Sequence, residues 1–308
     1  MSNIVLNSTI NEPVVLTIGF FDGLHLGHFF LINAVNSWAR EKAGVKSAIL
    51  TFDRHPRAVL KQDYKPSLIT TLEEKVWLFE HNCKSDYCII ENFADISGYS
   101  AYEFMKYLKE RYNVVGMIVG YDHRFGHNRT ETFDDYAGYG NELGIEVRQL
   151  GVSPNDFNLN ISSTVIRKEL EQGNIREANK YLGHPYFMFG TVAEGFKLGR
   201  TIGFPTANIK TDEEDKLIPE DGVYAVRVLV KQKWEKGMLY IGNRPTVNTG
   251  HKSIEVNLFD FEGDIYGEKV IVEFIDRTRG SMKFSGVSEL QSQLKKDAEE
   301  VKQVLQCV

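Results

Sequence analysis

The chain has little of what several classes of protein require. Three cysteines in 308 residues, Cys83, Cys88 and Cys307, cannot form a paired disulfide framework, and no second cysteine pair completes a zinc site with the first two. The N-terminus has no basic stretch, and the uncharged segment Gly23–Ala39 is short for a membrane span. We therefore expect no signal peptide and no membrane-spanning helix, and thiols kept reduced in the cytoplasm.

The chain also lacks an excess of positive charge. Lys and Arg number 36 against 42 Asp and Glu, which gives a net charge of −6. An acidic chain lacks the positive field that binds nucleic acid or an anionic membrane, so neither is expected as a partner. A hydrophobic content of 42% and a charged content of 25% exclude a disordered or fibrous chain, and the length suggests about two domains.

The first half of the chain alternates apolar runs with helical patterns. Two helix starts are marked by capping boxes, Thr71 with Glu74 and Ser100 with Glu103. Continuous short apolar runs are typical of parallel strands that are buried on both faces. These runs are Val14–Ile18, Ala48–Phe52, Tyr87–Ile90, Val114–Val119 and a weaker fifth, Ile145–Leu150. The repeated strand–helix units predict an α/β domain with a doubly wound parallel sheet.

The second half has a different texture. After two helical patterns, Gly183-His184-Pro185 predicts a helix end, and short strands with turn signals then favour an antiparallel β-barrel. A last helix carries an apolar stripe of Leu290, Leu294, Ala298, Val301 and Leu305. The sequence thus predicts two domains, residues 1–184 and residues 185–308.

A glycine-rich loop with two histidines follows the first predicted strand. Gly19, Gly23 and Gly27 precede or open a helix, whose N-terminus offers free N–H groups and a positive dipole end to an anion. His25 and His28 are three residues apart, so they can face one way and donate hydrogen bonds to phosphate oxygens. Two solvated or core histidines are the plainer alternative, and a zinc site lacks a third ligand.

A second candidate site lies in the predicted barrel. Thr206 and Asn208 face the same side of an extended backbone, so their oxygens can hold Mg²⁺ when ATP supplies the other ligands. Glu255 alternates with apolar neighbours and can accept the proton of an alcohol that attacks the γ-phosphate of ATP. The alternatives are a turn with local hydrogen bonds at Thr206 and Asn208, and a solvent-facing strand residue at Glu255.

Four strings in the first half resemble the N-terminal module of bacterial bifunctional riboflavin kinase/FAD synthetases. They are GFFDGLHLGH (19–28), TFDRHP (51–56), GYDHRFGHNR (120–129) and ISSTVIR (161–167). The resemblance places His28 at the transferring phosphoryl centre and His25 at the neighbouring phosphates. It implies ATP contacts for Gly19, Phe20, Asp22, Gly23, Gly27, Ser162, Ser163, Thr164 and Arg167. It implies flavin contacts for Asp122, Phe125 and Arg129.

The ISSTVIR string also has physical support of its own. The hydroxyls of Ser162, Ser163 and Thr164 at a helix start can cap N–H groups and touch phosphate, and Arg167 follows about one turn later. Plain helix capping is the alternative for the serines, as an ordinary surface ion pair is for Asp122 and Arg129.

The second half resembles the riboflavin kinase module of the same family. The matching strings are GRTIGFPTANI, PEDGVYAV, YIGNRPT and EVNLFDFEGDIYG, in the family order. The resemblance implies a six-stranded barrel, Mg²⁺ at Thr206 and Asn208, and Glu255 as the base for the riboflavin 5′-hydroxyl. It implies ATP contacts for Gly195, Lys197, Gly199, Arg200, Gly203 and Pro205, and flavin contacts for Arg279 and Phe284. A glycine loop by itself is equally compatible with a barrel corner.

Several positions depart from the family pattern. Asn257 stands where the family usually has His, Tyr240 where it has Asn, and Ser281 where it has an acidic residue. Val165 replaces a commonly basic residue, and Tyr121 and His123 are uncommon in the flavin loop. These departures concern riboflavin affinity, flap closure, ATP contact and flavin stacking rather than the phosphoryl-transfer residues.

The resemblance implies a two-step flavin-cofactor enzyme. Riboflavin and Mg²⁺-ATP give FMN, and FMN with a second ATP gives FAD and pyrophosphate. The implied partners are small molecules only, and a homo-oligomer is compatible with the sequence. Two alternatives stay open: a nucleotidyltransferase for another phosphorylated acceptor, such as a pantetheine or glycerol phosphate, and a non-catalytic flavin-binding regulator.

Overall fold

A computed structural model describes residues 3–6, 8–61, 63–121, 123–151, 161–194, 203–211, 213–243 and 252–306. The chain divides into two compact units, Met1–Ser162 and Ser163–Val308. We call them the N-terminal unit and the C-terminal unit.

A six-stranded parallel sheet forms the centre of the N-terminal unit, in the order β1-β4-β3-β2-β5-β6. The strands are β1 Asn3–Leu6, β2 Val14–Ile18, β3 Lys46–Phe52, β4 Tyr87–Glu91, β5 Val114–Gly120 and β6 Glu146–Leu150. The doubly wound sheet and its five predicted strands are confirmed. The edge strand β1 was not predicted, because Val5 is its only buried residue and the segment has no clear alternation.

Six helices accompany the sheet within the described part of this unit. They are α1 Leu26–Glu41, α2 Pro56–Leu60, α3 Leu72–Asn82, α4 Phe93–Ile96, α5 Ala101–Tyr112 and α6 Phe133–Leu143. Both predicted capping boxes are present: Glu74 N donates to Thr71 Oγ1 over 3.3 Å, and Glu103 N donates to Ser100 Oγ over 3.2 Å. The reciprocal bonds, from each cap's backbone N–H to the glutamate, measure 2.9 and 2.8 Å.

The central strand β2 is buried on both faces of the sheet. Val14 and Leu16 belong to one core cluster, and Val15 packs with Trp38 of α1 on the other face. The strand order reverses direction at β2, next to β5, and such a switch point opens a ligand-binding crevice outside the carboxyl ends of the strands.

The C-terminal unit begins with two helices, continues as a closed antiparallel barrel and ends in a helix. The helices are α7 Ser163–Glu171 and α8 Ile175–Leu182, and the last helix is α9 Val287–Gln306. The strands are β7 Tyr186–Ala193, β8 Ala207–Lys210, β9 Gly222–Val230, β10 Lys233–Asn243, β11 Lys252–Leu258 and β12 Lys269–Gly280. Their order around the barrel is β10-β11-β8-β7-β12-β9, so the six-stranded barrel is confirmed.

The compact units divide at α7 rather than at the barrel. Helices α7 and α8 lie in the C-terminal unit, whereas the predicted domain boundary after residue 184 would place them with the sheet. That boundary refers to function and stays a prediction. On α9, Val301 and Leu305 of the predicted stripe are buried against barrel residues, and so is an unpredicted acid, Asp297.

Candidate active sites

The loop between β2 and α1 has a strained backbone. Phe21 and Leu24 have φ angles of +54° and +42°, a left-handed region that non-glycine residues rarely adopt. Two hydrogen bonds hold the loop: Gly23 N donates to Thr70 Oγ1 over 2.9 Å, and Thr70 N donates to Asp22 Oδ1 over 3.0 Å. Strain of this kind persists only where surrounding contacts over-determine it, and it concentrates at functional sites. Buried Asp22 thus fixes the loop, and its predicted ATP contact stays a prediction.

The two histidines lie together at the start of α1, as their spacing predicted. Their rings stack with centroids 3.6 Å apart and planes 19° apart. His25 precedes the first helical residue, and its carbonyl accepts hydrogen bonds from the backbone of His28 over 2.8 Å and of Phe29 over 3.0 Å. A Cβ on Gly27 would lie 3.2 Å from two atoms of the His25 ring, which is tighter than nearly all real Cβ contacts. The glycine between the histidines therefore lets His25 fold back onto His28.

The electrostatics around His28 keep it neutral. Burial of the ring, and after it the proximity of His25, Lys75 and His123, holds the pKa of His28 well below its ordinary value of 6.5. A neutral imidazole near Lys75 and a helix N-terminus can donate a hydrogen bond to an anion without carrying charge itself. The arrangement suits a site where negative charge develops on a phosphate.

Lys75 is a component of this site that was not predicted from the sequence. It is 1% exposed, its Nζ donates to Thr51 Oγ1 over 3.3 Å, and it lies 3.7 Å from the centroid of the Phe20 ring. Lys75 shares the buried face of α3 with Leu78 and Phe79, three and four residues on. A lysine at an apolar position of an amphipathic helix was the available signal.

The stability of the protein is expected to fall as the pH drops below 6.5, partly through His28. The unfolded chain protonates this ring near pH 6.5, whereas the folded protein does so only at lower pH, so the unfolded state binds more protons. Between pH 6.5 and the lower pKa of His28 in the folded protein, the free energy of unfolding falls by at most about 1.4 kcal/mol for each pH unit through this group. Urea unfolding at pH 7.5 and 5.5 should show a smaller loss for His28→Asn than for the unchanged protein, and equal losses would contradict this assignment.

The loop that follows β5 borders a cleft of about 330 Å³. Tyr121, His123 and Arg124 line this cleft, together with residues of α6 and β6. Phe125 lies beneath it: the ring is 8% exposed and stacks on Tyr136 with centroids 4.2 Å apart. Arg129 is exposed with a φ of +52°, and Asp122 lies outside the described residues. Flavin contacts of Asp122, Phe125 and Arg129 stay predictions.

The predicted metal and base residues of the barrel lie together. Thr206 Oγ1 donates to Glu255 Oε2 over 3.3 Å, and Asn208 pairs directly with Glu255 across β8 and β11. All three side chains are half-buried. Of the predicted ATP contacts, Gly203 and Pro205 are described, whereas Gly195, Lys197, Gly199 and Arg200 lie outside the described residues.

Three of the departures from the family pattern lie close to this cluster. Asn257 Nδ2 donates to the carbonyl of Pro205 over 2.7 Å, one residue before Thr206. Tyr240 pairs with Glu255 across β10 and β11, and its hydroxyl lies 3.2 Å from Ser281 Oγ. The departing side chains thus contact either the segment before Thr206 or each other.

Arg279, a predicted flavin contact, forms a two-bond ion pair with buried Asp297 of α9, over 2.9 and 2.6 Å. Its guanidinium carbon lies 6.0 Å from the centroid of the Phe284 ring, so these two predicted residues are neighbours. Asp297 was not predicted, because an acidic residue next to the apolar positions of a helix is usually solvent-exposed, and its partner Arg279 lies on a different element of the chain. Flavin contact by Arg279 and Phe284 stays a prediction.

Within the described ranges, no group of three His, Cys, Asp or Glu side chains could hold a metal ion. Cys83 and Cys88 are buried free thiols, and burial raises the pKa of each to about 12. In the same ranges, every helix is too short or too polar to cross a membrane.

Comparisons with known proteins match both units. A riboflavin kinase family model matches residues 182–305, and an FAD synthetase family model matches residues 7–165. A bifunctional riboflavin kinase/FMN adenylyltransferase of Listeria monocytogenes is 37% identical over 293 residues, covering 94% of this chain and 91% of the relative. Its counterparts in Bacillus subtilis and Escherichia coli K12 are 36% and 34% identical, over 93% and 95% of this chain and 90% and 93% of theirs.

A solved structure from Streptococcus pneumoniae, described as a macrolide-efflux protein, shares the fold. Its TM-score is 0.86 at 31% identity, with 98% of each chain covered. The name belongs to that protein, and what the two chains share is the architecture over their whole length.

Proposed function

The chain belongs to the family of bifunctional riboflavin kinase/FMN adenylyltransferases, and we propose how its residues carry out the two reactions. The protein phosphorylates riboflavin to FMN and joins FMN to an adenylyl group to give FAD. One observation supports the proposal above all. The region matched by the FAD synthetase model and the region matched by the riboflavin kinase model each contain a cluster of side chains suited to phosphate transfer: His25 with His28, and Glu255 with Thr206 and Asn208.

In the kinase reaction, Glu255 accepts the proton of the riboflavin 5′-hydroxyl. The hydroxyl oxygen bonds to the γ-phosphorus of ATP, the bond from that phosphorus to the β-phosphate bridge breaks, and ADP leaves. Thr206 and Asn208 present a hydroxyl and an amide oxygen beside this carboxylate, a donor set that suits Mg²⁺. Bound there, Mg²⁺ would neutralise charge on the ATP phosphates.

In the adenylyltransferase reaction, the FMN phosphate attacks the α-phosphorus of ATP and pyrophosphate leaves. No covalent intermediate with the protein is needed, so the protein aligns the reactants and stabilises charge. Neutral His28 donates a hydrogen bond to the α-phosphate oxygen, and His25 contacts the neighbouring phosphates. Buried Lys75 adds a fixed positive charge close to this pair.

The remaining binding residues are proposals that rest on the family motifs. We assign ATP to the motif Ser162, Ser163, Thr164 and Arg167. We place the protein in the cytoplasm with small molecules as its partners, and a homo-oligomer is compatible with the sequence. The net charge of −6 supports the absence of a nucleic-acid partner.

A time course with one flavin substrate tests the proposal against its alternatives. Purified protein is incubated with riboflavin, ATP and Mg²⁺, and the flavins are separated by chromatography. We expect FMN first and FAD later, because the second reaction consumes the product of the first. Unchanged riboflavin would favour a flavin-binding regulator. FMN that is never adenylylated, with adenylyl transfer to a pantetheine or glycerol phosphate instead, would favour the other nucleotidyltransferase.

A further inference from the structure

The pairing between β8 and β11 ends just before Thr206, a residue to which the proposed function assigns Mg²⁺. Within the described residues, the two strands pair at Asn208 with Glu255 and at Ala207 with Val256. Thr206 precedes the first residue of β8 and so lies outside this pairing. Its position in the barrel therefore depends on contacts other than the strand ladder.

The side chain of Asn257 on β11 supplies such a contact. Its Nδ2 donates to the carbonyl of Pro205 over 2.7 Å, and the residue is 7% exposed. The carbonyl of Pro205 and the nitrogen of Thr206 belong to one planar peptide unit, which ends at the Cα of Thr206. A hydrogen bond to this oxygen therefore orients the peptide plane from which the Thr206 side chain leaves.

Asn257 is itself held in the wall of the barrel. It lies two residues after Glu255 on β11, so the two side chains share one face of the strand. Across β10 it pairs with Met238, which is buried in the core cluster beneath α9. A Cβ on Gly237, the residue before Met238, would lie 2.8 Å from the carbonyl oxygen of Asn257, so the two strands approach closely here. The donor that reaches Pro205 thus projects from a tightly packed strand.

The Thr206 hydroxyl is oriented for a cation by its own hydrogen bond. It donates its proton to Glu255 Oε2 over 3.3 Å. A threonine hydroxyl has one proton and two lone pairs, so donation to the carboxylate leaves lone pairs of the oxygen for a metal ion. On the other side of Pro205, Phe204 packs against the core cluster that contains Met238. The segment from Phe204 to Thr206 is therefore fixed by one apolar contact and two hydrogen bonds.

We propose that Asn257 is a positioning residue for riboflavin phosphorylation: by donating to the carbonyl of Pro205 it orients Thr206 and so sets the affinity of the barrel for the Mg²⁺ of ATP. This inference rests on the proposed function, which assigns Mg²⁺ to Thr206 and Asn208. Groups that orient metal ligands from outside the first coordination shell typically change metal affinity or activity by about 10–100-fold when they are removed.

The test is Asn257→Leu, which keeps the approximate shape of the side chain and removes its donor. The Mg²⁺ concentration for half-maximal riboflavin phosphorylation is expected to rise about tenfold. The kcat at saturating Mg²⁺ should stay close to that of the unchanged protein, because excess metal restores the occupied site, and the Mg²⁺ dependence of FMN adenylylation should not change.

The matched control is Asn179→Leu. Asn179 belongs to the same unit, and its Nδ2 also donates to a backbone carbonyl, that of Phe274 over 2.8 Å. This variant loses the same kind of hydrogen bond at a distance along the chain from Thr206, and it should keep the normal Mg²⁺ dependence. An unchanged Mg²⁺ requirement in folded Asn257→Leu, or an equal rise in both variants, would overturn the proposal.

Binding of Mn²⁺ gives a measurement that does not depend on turnover. Mn²⁺ is titrated into the full chain in the presence of ADP, and the free ion is followed by its EPR spectrum. The share of bound Mn²⁺ that Thr206→Ala loses identifies the site in the barrel. Asn257→Leu should lose most of that share at Mn²⁺ concentrations that just saturate the unchanged protein, and equal binding by the two proteins would contradict the role of Asn257.

The same variants separate this inference from the assignment beneath it. If Thr206→Ala changes neither the Mg²⁺ requirement of phosphorylation nor the binding of Mn²⁺, the metal assignment is wrong, and the inference falls with it. If Thr206→Ala weakens both and Asn257→Leu weakens neither, only the role of Asn257 is wrong.

Asn257→His tests the donor itself, because an imidazole N–H can also donate to the carbonyl of Pro205. This variant should require less Mg²⁺ than Asn257→Leu does. Should Asn257→Leu fail to fold, Asn257→His is compared with Asn257→Ala, which has no donor, and equal Mg²⁺ requirements in these two variants would overturn the proposal.

Discussion

Replacing Glu255 by Gln is expected to lower the kcat of riboflavin phosphorylation by about 10²–10⁴-fold while FAD formation from supplied FMN continues. The loss follows from general-base catalysis, because the amide cannot accept the proton of the riboflavin hydroxyl. In the unchanged protein, Thr206 Oγ1 donates to Glu255 over 3.3 Å. Glutamine keeps the size of the side chain and an oxygen that can accept this hydrogen bond, so the barrel should fold unchanged.

The measurement compares the two reactions in one preparation. Phosphorylation is followed with riboflavin and ATP, and adenylylation with FMN and ATP. Glu268→Gln is the control, since Glu268 belongs to the same unit and its carboxylate forms an exposed ion pair with Lys231, over 3.7 Å. Normal phosphorylation by Glu255→Gln would remove this carboxylate from the mechanism, and loss of both activities in a folded variant would contradict two independent reactions.

The parallel sheet and most helix starts could be predicted because buried strands and helix caps have characteristic sequence patterns. Strands buried on both faces, such as β2, appear as continuous apolar runs, and capping boxes mark helix starts whatever the tertiary context. The edge strand β1 has one buried residue and therefore no continuous apolar run that would predict it. Helices α7 and α8 correspond to the two helical patterns that precede Gly183. Their attachment to β12 was not predicted, because it depends on Arg277 and Asn179, whose partners are about 100 residues away along the chain.

In the candidate sites too, local features were predicted from the sequence, whereas contacts between distant residues were not. The spacing of three residues predicted that His25 and His28 face one way, whereas the stacking of their rings was not predicted, because it depends on the extended backbone of His25 before the helix. The contact between Thr206 and Glu255 depends on the register of two strands that the sequence does not specify, and only the family pattern linked them. The left-handed backbone of Phe21 and Leu24 could not be predicted, because glycine is the usual residue for that conformation.

His28→Ala is expected to let FMN accumulate from riboflavin, because adenylyl transfer falls by about 10²–10³-fold while phosphorylation continues. Removal of one hydrogen-bond donor that stabilises the charge of a transition state typically lowers kcat by about 10²–10³-fold. Lys75 and the helix N-terminus remain in the variant and still attract the phosphates, so the loss should appear in kcat more than in the KM for ATP.

His28→Asn refines this result, since the asparagine amide keeps a donor and should recover part of the rate. His81→Ala is the control: His81 is an exposed histidine of the same unit whose ring nitrogen lies 2.8 Å from the carbonyl of Trp77, and it should behave as the unchanged protein does. FAD formation by His28→Ala at the normal rate would exclude this histidine from the reaction. A rise in the KM for ATP at unchanged kcat would make His28 a binding residue that acts equally on ground state and transition state, and the charge-stabilising role would then pass to Lys75 and His25.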